Sequence, residues 1–275
     1  MIGRRTGLAS KAFVLGLLVV YAIPLAWIAL TALKSEELAR AEPNTIFFRP
    51  TLETFRHTLE VASESVATSI KIAVAVTVLV LAVAVPAAYA LARKVSARWS
   101  RTVAVLLGAL LVLQMVPQPM AVIPLYQILA GWGLVDTLPG LILADTANLV
   151  PFAILLLRPF VLAIPGEIYE AAQVDGASGR RTFRSIVIPL LPNGIATVAT
   201  IVFIMTWGEF VYATTLITNQ QGLPVSGLLA QQTSMYSVEW SRLMGLSLLT
   251  SLPLLVVFLI AKRRLVAGLS LGAVR

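Results

Sequence analysis

Six long apolar stretches, near residues 12–33, 68–91, 102–123, 138–162, 193–217 and 241–261, decide what this chain can become. A helix rises about 1.5 Å per residue, so roughly 20 apolar residues cross a hydrocarbon layer about 30 Å thick. No water satisfies a peptide group inside that layer, whereas a helix pairs its backbone internally. The expectation is an all-α membrane protein with six transmembrane helices in a single domain over residues 1–275. Composition excludes a soluble globule: 58% of the residues are hydrophobic and 12% charged, too few polar groups to wrap a water-facing surface. Cysteine is absent, which removes disulfide frameworks and thiolate metal sites.

Proline marks where spans should break. The third stretch contains PQPM, where Pro117 and Pro119 lack amide donors, and a kink or re-entrant turn is expected. Pro151 should bend the fourth. The first stretch follows Arg4, Arg5 and Lys11, as a secretory signal would. Its apolar run is longer than such signals carry and ends in ALKSEE without a small-residue cleavage site, so a retained helix is expected.

Basic residues orient the spans. Arg4, Arg5 and Lys11, then Arg93, Lys94, Arg98 and Arg101, then Arg180, Arg181 and Arg184, then Lys262, Arg263, Arg264 and Arg275 all fall on one side. The opposite side holds Lys34, Arg40, Arg49 and Arg56, diluted by Glu36, Glu37, Glu42, Glu53, Glu60 and Glu64. The positive-inside rule then places both termini in the cytoplasm. It also accounts for the formal charge of +8 without a nucleic-acid partner.

The longest loop on the basic side, 164–192, reads as two short helices and a turn. Pro165 suits a first helical position, Glu167 and Glu170 favour the positive end of a helix, and Gly176 suits a left-handed terminator. Ser178 is a natural cap for a second helix, in which Phe183, Ile186, Val187 and Leu190 share a face while Arg180, Arg181 and Arg184 point elsewhere; Pro189 and Pro192 should stop it. Ala171 and Ala172 offer a small, smooth surface to another protein. The residues alone leave two readings open, a docking element and a plain solvated loop.

The stretch EAAQVDGASGRRTFRSIVIPLLP resembles the EAA loop of membrane subunits of bacterial ATP-binding-cassette importers, with Glu170, Ala171, Ala172, Gly176, Ile186 and Pro189 supplying the pattern. Asp175 and Ala177 fit the DGA form found in sugar importers. Residues 31–59 are similar to the segment after the first helix of carbohydrate-importer permeases, although Glu53-Thr54-Phe55 departs from the usual asparagine. FIMTWGEFVYATTLIT resembles their fifth helix, with Gly208 in place of asparagine, and the tail RRLVAGLSLGAVR resembles their C-terminus. The resemblance is to the smaller, six-helix membrane subunit of maltose-type importers.

That resemblance implies the type I importer permease fold in the bacterial inner membrane, with the short helices of 164–192 coupling the pore to an ATPase. Glu170, Ala171, Ala172, Asp175, Gly176, Ala177, Arg180, Arg181, Phe183 and Pro189 are the coupling residues it implies. Implied partners are a second, homologous permease, two ATPase subunits that bind ATP and Mg, and an extracytoplasmic sugar-binding protein. The implied cargo is a di- or oligosaccharide, and VAGL in the tail resembles trehalose-type permeases.

No lysine follows a glycine, so there is no Walker A loop, and the energy must come from elsewhere. Asp145 and Glu209 lie inside expected spans, each about eight residues from the outer end and thus roughly 12 Å deep. An ionised acid facing lipid is costly, so both should face protein or water. With Asn148 and Trp207 they could line a substrate cavity; the competing reading gives both acids packing or capping roles inside the bundle. His57 stands alone, without a second ligand for a metal, and no catalytic constellation or enzyme activity is expected. The loop NQQGLPVSGLLAQQTSMYSVEW reads equally as a contact for the binding protein and as a connector. A proton- or ion-coupled transporter using the two acids is the rival reading, but no inverted repeat is visible. A receptor is another.

Overall fold

The computed structural model describes residues 8–93, 96–219, 222–232 and 238–273. Arg4, Arg5, Lys94 and Arg275, and the side chains of His57, Arg263 and Arg264, lie outside what is described. The regular elements among the described residues are helices, in the order α1 (Leu8–Ala32), α2 (Glu36–Ala41), α3 (Glu53–Ala92), α4 (Ala97–Gln114), α5 (Gln118–Gly131) and α6 (Leu138–Leu162). They continue as α7 (Gly166–Val174), α8 (Gly179–Leu190), α9 (Pro192–Trp207), α10 (Val211–Leu216), α11 (Val225–Gln231) and α12 (Trp240–Ala273). Among the described residues five helices are long and apolar enough to cross a membrane, or six if the bent pair α8–α9 is counted as one span.

The sequence reading and the helices differ at their breaks. The third stretch is two helices, because Pro117 caps α5 with no side-chain hydrogen bond and Pro119 sits in its first turn. The fifth ends at Trp207, and Gly208–Phe210 separate it from the short α10. α3 begins well before residue 68 and runs for 40 residues. The backbone of α12 stays helical to Ala273, through the segment read as a tail.

Two compact units divide the chain. The first comprises Met1–Ser65 and Leu228–Leu252. Its anchor is Lys34, 1% exposed, whose Nζ donates to the carbonyls of Glu42 (3.3 Å) and Pro43 (2.6 Å) beneath the rings of Trp27 and Phe48. The Glu36 carboxylate accepts the Trp240 and Ser241 amides, both at 2.9 Å, satisfying the otherwise open start of α12. Most of α1 is exposed along its length, a surface suited to hydrocarbon.

The second unit comprises Val66–Gly227 and Pro253–Arg275. Three of its helices bury every fourth residue: Ile72, Val76, Val80, Ala84 and Ala88 on α3; Leu141, Asp145, Leu149, Ala153, Leu157 and Val161 on α6; Gly194, Val198, Val202 and Thr206 on α9. Rows spaced by four are the ridges by which helices interdigitate. A Cβ at Gly194 would stand 2.7 Å from Phe160 Cγ, so α9 approaches α6 at a point that only glycine permits. The same rows carry Asp145 and Thr206 into the core.

Candidate functional site

The loop between α6 and α9 folds as an elbow. Its first arm, α7, ends in a full Schellman motif: Ala177 N–H bonds to Ala172 O (2.9 Å) and Gly176 N–H to Gln173 O (3.0 Å). Gly176 takes φ +68°, the left-handed geometry the motif requires. Ser178 Oγ then accepts the Arg181 amide at 3.3 Å and starts α8. Pro165 precedes the first helical turn of α7 as its cap.

The second arm departs from the sequence reading in one instructive way. Phe183–Val187 form a π-helical turn, in which Ile188 N–H bonds five residues back to Phe183 O. The extra residue shifts the helical face, so Val187 stays buried while Leu190 turns outward, 51% exposed, and Leu191 is buried instead. Pro189, expected to stop the helix, lies within it; the helix ends at Leu190, and the chain bends 75° into α9.

Aromatic packing fixes the elbow to the end of α3 within the second unit. The ring of Tyr89, near the end of α3, lies 5.1 Å from that of Phe183 on α8 and 6.5 Å from that of Tyr169 on α7. The Arg93 guanidinium stands 5.8 Å from the Tyr89 ring. Burial, and then the neighbouring Tyr89, pushes the Tyr169 phenol above its ordinary range, against the opposing pull of Arg93. Arg158 Nε donates to Leu91 O at 3.2 Å and ties the end of α3 to α6.

What the elbow leaves outside is equally defined. Glu170, Ala171, Asp175, Gly176, Arg180, Arg181 and Arg184 are exposed, and Ala177 is half-buried. Ala172, expected to form part of the smooth surface, instead packs inward at 4% exposure. Val174, which the motif did not single out, is 87% exposed at the tip of α7. The three arginines form no ion pair with a described residue.

Asp145, Trp207 and Glu209 line one small cavity with Ser69 and Thr206, whereas Asn148 is not among its walls. The Asn148 carbonyl instead accepts Gln114 Nε2 at 3.1 Å. Only about 10 Å³ is open there to the centre of a water-sized sphere, far short of a sugar. Glu209 sits in the break after α9, where its carboxylate oxygens accept the Tyr212 and Ala213 amides at 2.8 and 2.9 Å and cap α10. No group of three or more His, Cys, Asp or Glu residues placed to hold a metal occurs among the described residues.

A third polar locus lies between α5 and α6. Asp136, at φ 59°, accepts hydrogen bonds from the Thr218 amide and hydroxyl and the Asn219 amide, while its own amide bonds to Leu216 O. The Thr218 backbone amide, followed by its hydroxyl, holds the Asp136 carboxyl below the usual aspartate value.

Residues 2–266 match the family described as "Binding-protein-dependent transport system inner membrane component". The trehalose transport system permease protein SugB of Mycobacterium tuberculosis is 34% identical over 265 residues, covering 94% of each chain. A probable ABC transporter permease protein of Sinorhizobium fredii is 33% identical over 258 residues, covering 93% of this chain and 91% of that one. The diacetylchitobiose uptake system permease protein DasC of Streptomyces coelicolor is 32% identical over 262 residues, covering 92% and 91%. In fold, the chain is similar to one from a bacterial ABC transporter involved in the import of the acidic polysaccharide alginate. The TM-score is 0.76 at 19% identity, with 96% of this chain and 98% of that one covered.

Proposed function

This chain belongs to the family of binding-protein-dependent transport system inner membrane components, and from that membership we propose that it is the permease subunit of an ATP-driven importer for a di- or oligosaccharide. Its work is passage, not catalysis. A separate ATPase pair supplies the energy, a second permease completes the pore, and an extracytoplasmic binding protein delivers the sugar. Both termini and the elbow face the cytoplasm, a placement that the basic residues of the loops support. The names of the trehalose and diacetylchitobiose relatives support a carbohydrate of that size, with trehalose the first cargo to test.

The observation that carries the reading is the elbow. It is held internally by the Schellman turn, packed by aromatic rings against α3, and exposes the apolar Val174 at the end of α7 and Arg180 and Arg181 after the turn. A solvated connector needs neither a full Schellman stop nor an apolar knob. An ATPase cleft that closes on nucleotide would grip Glu170, Ala171, Asp175, Gly176 and Ala177 at the turn, with Arg180 and Arg181 meeting acidic groups. Phe183 and the Pro189 segment would carry the displacement into α9, shifting the pore between its two openings.

The test uses the complete transporter in membranes. Gly176→Pro demands φ near −65° where the chain needs +68°, and Glu170→Lys reverses a charge at the grip. Both variants should insert normally and lose sugar uptake per ATP hydrolysed. Full sugar accumulation by both would remove the docking role.

A further inference from the structure

Asp145 and Glu209 present an electrostatic problem that the capping hydrogen bonds solve only in part. Glu209, 9% exposed, receives two backbone amides and the positive end of α10. Asp145, 2% exposed, has an Oδ1 with no hydrogen-bond partner, and Thr206 Oγ1, in a residue 7% exposed, is likewise unpartnered. Both residues wall the cavity that Glu209 also lines. Ser69 completes this wall; its Oγ accepts the Val225 amide at 2.8 Å.

The remaining titratable side chains on the surrounding helices add no positive charge to the cavity. Tyr212 on α10 is the third titratable group near the two acids, and Lys71, one position from the lining residue Ile72 on α3, is exposed. Arg158 on α6 is engaged with Leu91 O. A water molecule could bond to Oδ1 and the threonine hydroxyl, but it would leave two carboxylate charges facing one another out of bulk water. Uncompensated charge is far costlier in that setting than an unmade hydrogen bond.

We propose that this cavity binds one univalent cation, a proton or a sodium ion, held between Asp145, Glu209 and the Thr206 hydroxyl. The available space, about 10 Å³ for the centre of a water-sized sphere, admits one small occupant. Its donors are all oxygens, two of them anionic, which suits a small hard cation. The bound charge locks α6 to the broken end of α9, so the site is a static clamp within the permease that draws nothing from an ion gradient. It does not depend on the identity of the cargo.

The test takes the full assembly in lipid nanodiscs and follows thermal unfolding of this chain in the native protein, Asp145→Asn and Thr206→Val. One series varies sodium against choline at constant pH, and another varies pH at constant sodium. The native midpoint should rise with sodium in the first series if sodium is the occupant, or rise as pH falls in the second if a proton is. Asp145→Asn, which removes one charge and keeps the shape, should flatten whichever dependence appears, and Thr206→Val should weaken it. Failure of Asp145→Asn to assemble would be resolved by Thr206→Val, which keeps both acids and must still reduce the response. Native and variant curves that coincide in both series would overturn the proposal and leave the cavity with water alone.

Discussion

The rings of Tyr89 and Phe183 meet at 5.1 Å, so the end of a membrane-crossing helix packs directly on the second arm of the elbow. Tyr89 is 8% exposed, buried by this contact and by Tyr169.

Tyr89→Ala should therefore separate grip from transmission. An aromatic pair contributes about 1 kcal/mol beyond the area it buries, about a fivefold change in an equilibrium. The ATPase should still co-purify with the variant and hydrolyse ATP, while sugar uptake falls by about that factor or more. Phe183→Leu, which keeps most of the packing, should fall less. Equal losses of ATPase binding and uptake would assign the ring pair to docking itself.

Lys34 makes a separate prediction for the first unit. Its ammonium is the donor to two carbonyls in the segment after α2, so Lys34→Met leaves both without that donor. Glu42 O keeps the Thr45 amide at 3.3 Å, so the loss falls mainly on the part-buried Pro43 carbonyl and is about 1 kcal/mol. The variant should show a lower unfolding midpoint and faster proteolysis between residues 42 and 52, with the elbow unaffected. Proteolysis unchanged from the native chain would mean that the aromatic residues alone hold the turn.

Much of this architecture can be read from hydropathy, and the exceptions have physical causes. α6 fills the fourth apolar stretch because Thr137 accepts the Gly140 amide at its start and Pro139 occupies its first turn. α3 is longer than the apolar count, since its first turns carry Glu53, Arg56 and Glu60, residues a helix accepts but a lipid-facing span does not. The break after Trp207 falls in continuous apolar sequence, and its only signal is the Gly208-Glu209 pair. Within the elbow, the turn glycine and the serine cap follow from residue type, whereas the exposed Leu190 does not. A π-helical turn leaves no mark in a four-residue pattern, and it moved that face by one residue. The acids' companion Thr206 could have been found by following the every-fourth-residue row of α9, whereas Ser69, three residues before Ile72, lies off the corresponding row of α3.

Acid should open the latch between α5–α6 and the segment after α10. The Asp136 carboxyl titrates below its ordinary value of 3.8 because the Thr218 and Asn219 donors favour its ionised form. A depressed folded-state value means that the latch's contribution is complete above the ordinary value and disappears as pH falls through the lower, folded one. Amide exchange at Thr218 and Asn219 should therefore be slow at neutral pH and accelerate only below about pH 4, beyond the intrinsic effect of pH on exchange. In Asp136→Asn the protection should be weaker and independent of pH over that window. Protection that persists at low pH in the native chain would show that the backbone turn alone holds the latch.

The most direct test of the whole account exploits the absence of cysteine. Val174→Cys introduces the only thiol of the chain at the exposed tip of α7, where a photoactivatable thiol reagent can be attached in the assembled transporter. Illumination should join this chain to the ATPase subunit, with a yield that changes when nucleotide closes the ATPase pair, and an impermeant thiol reagent added outside intact cells should leave the site unlabelled. Labelling from outside, or efficient attachment that never captures the ATPase, would contradict the central claim that this elbow is where the motor takes hold.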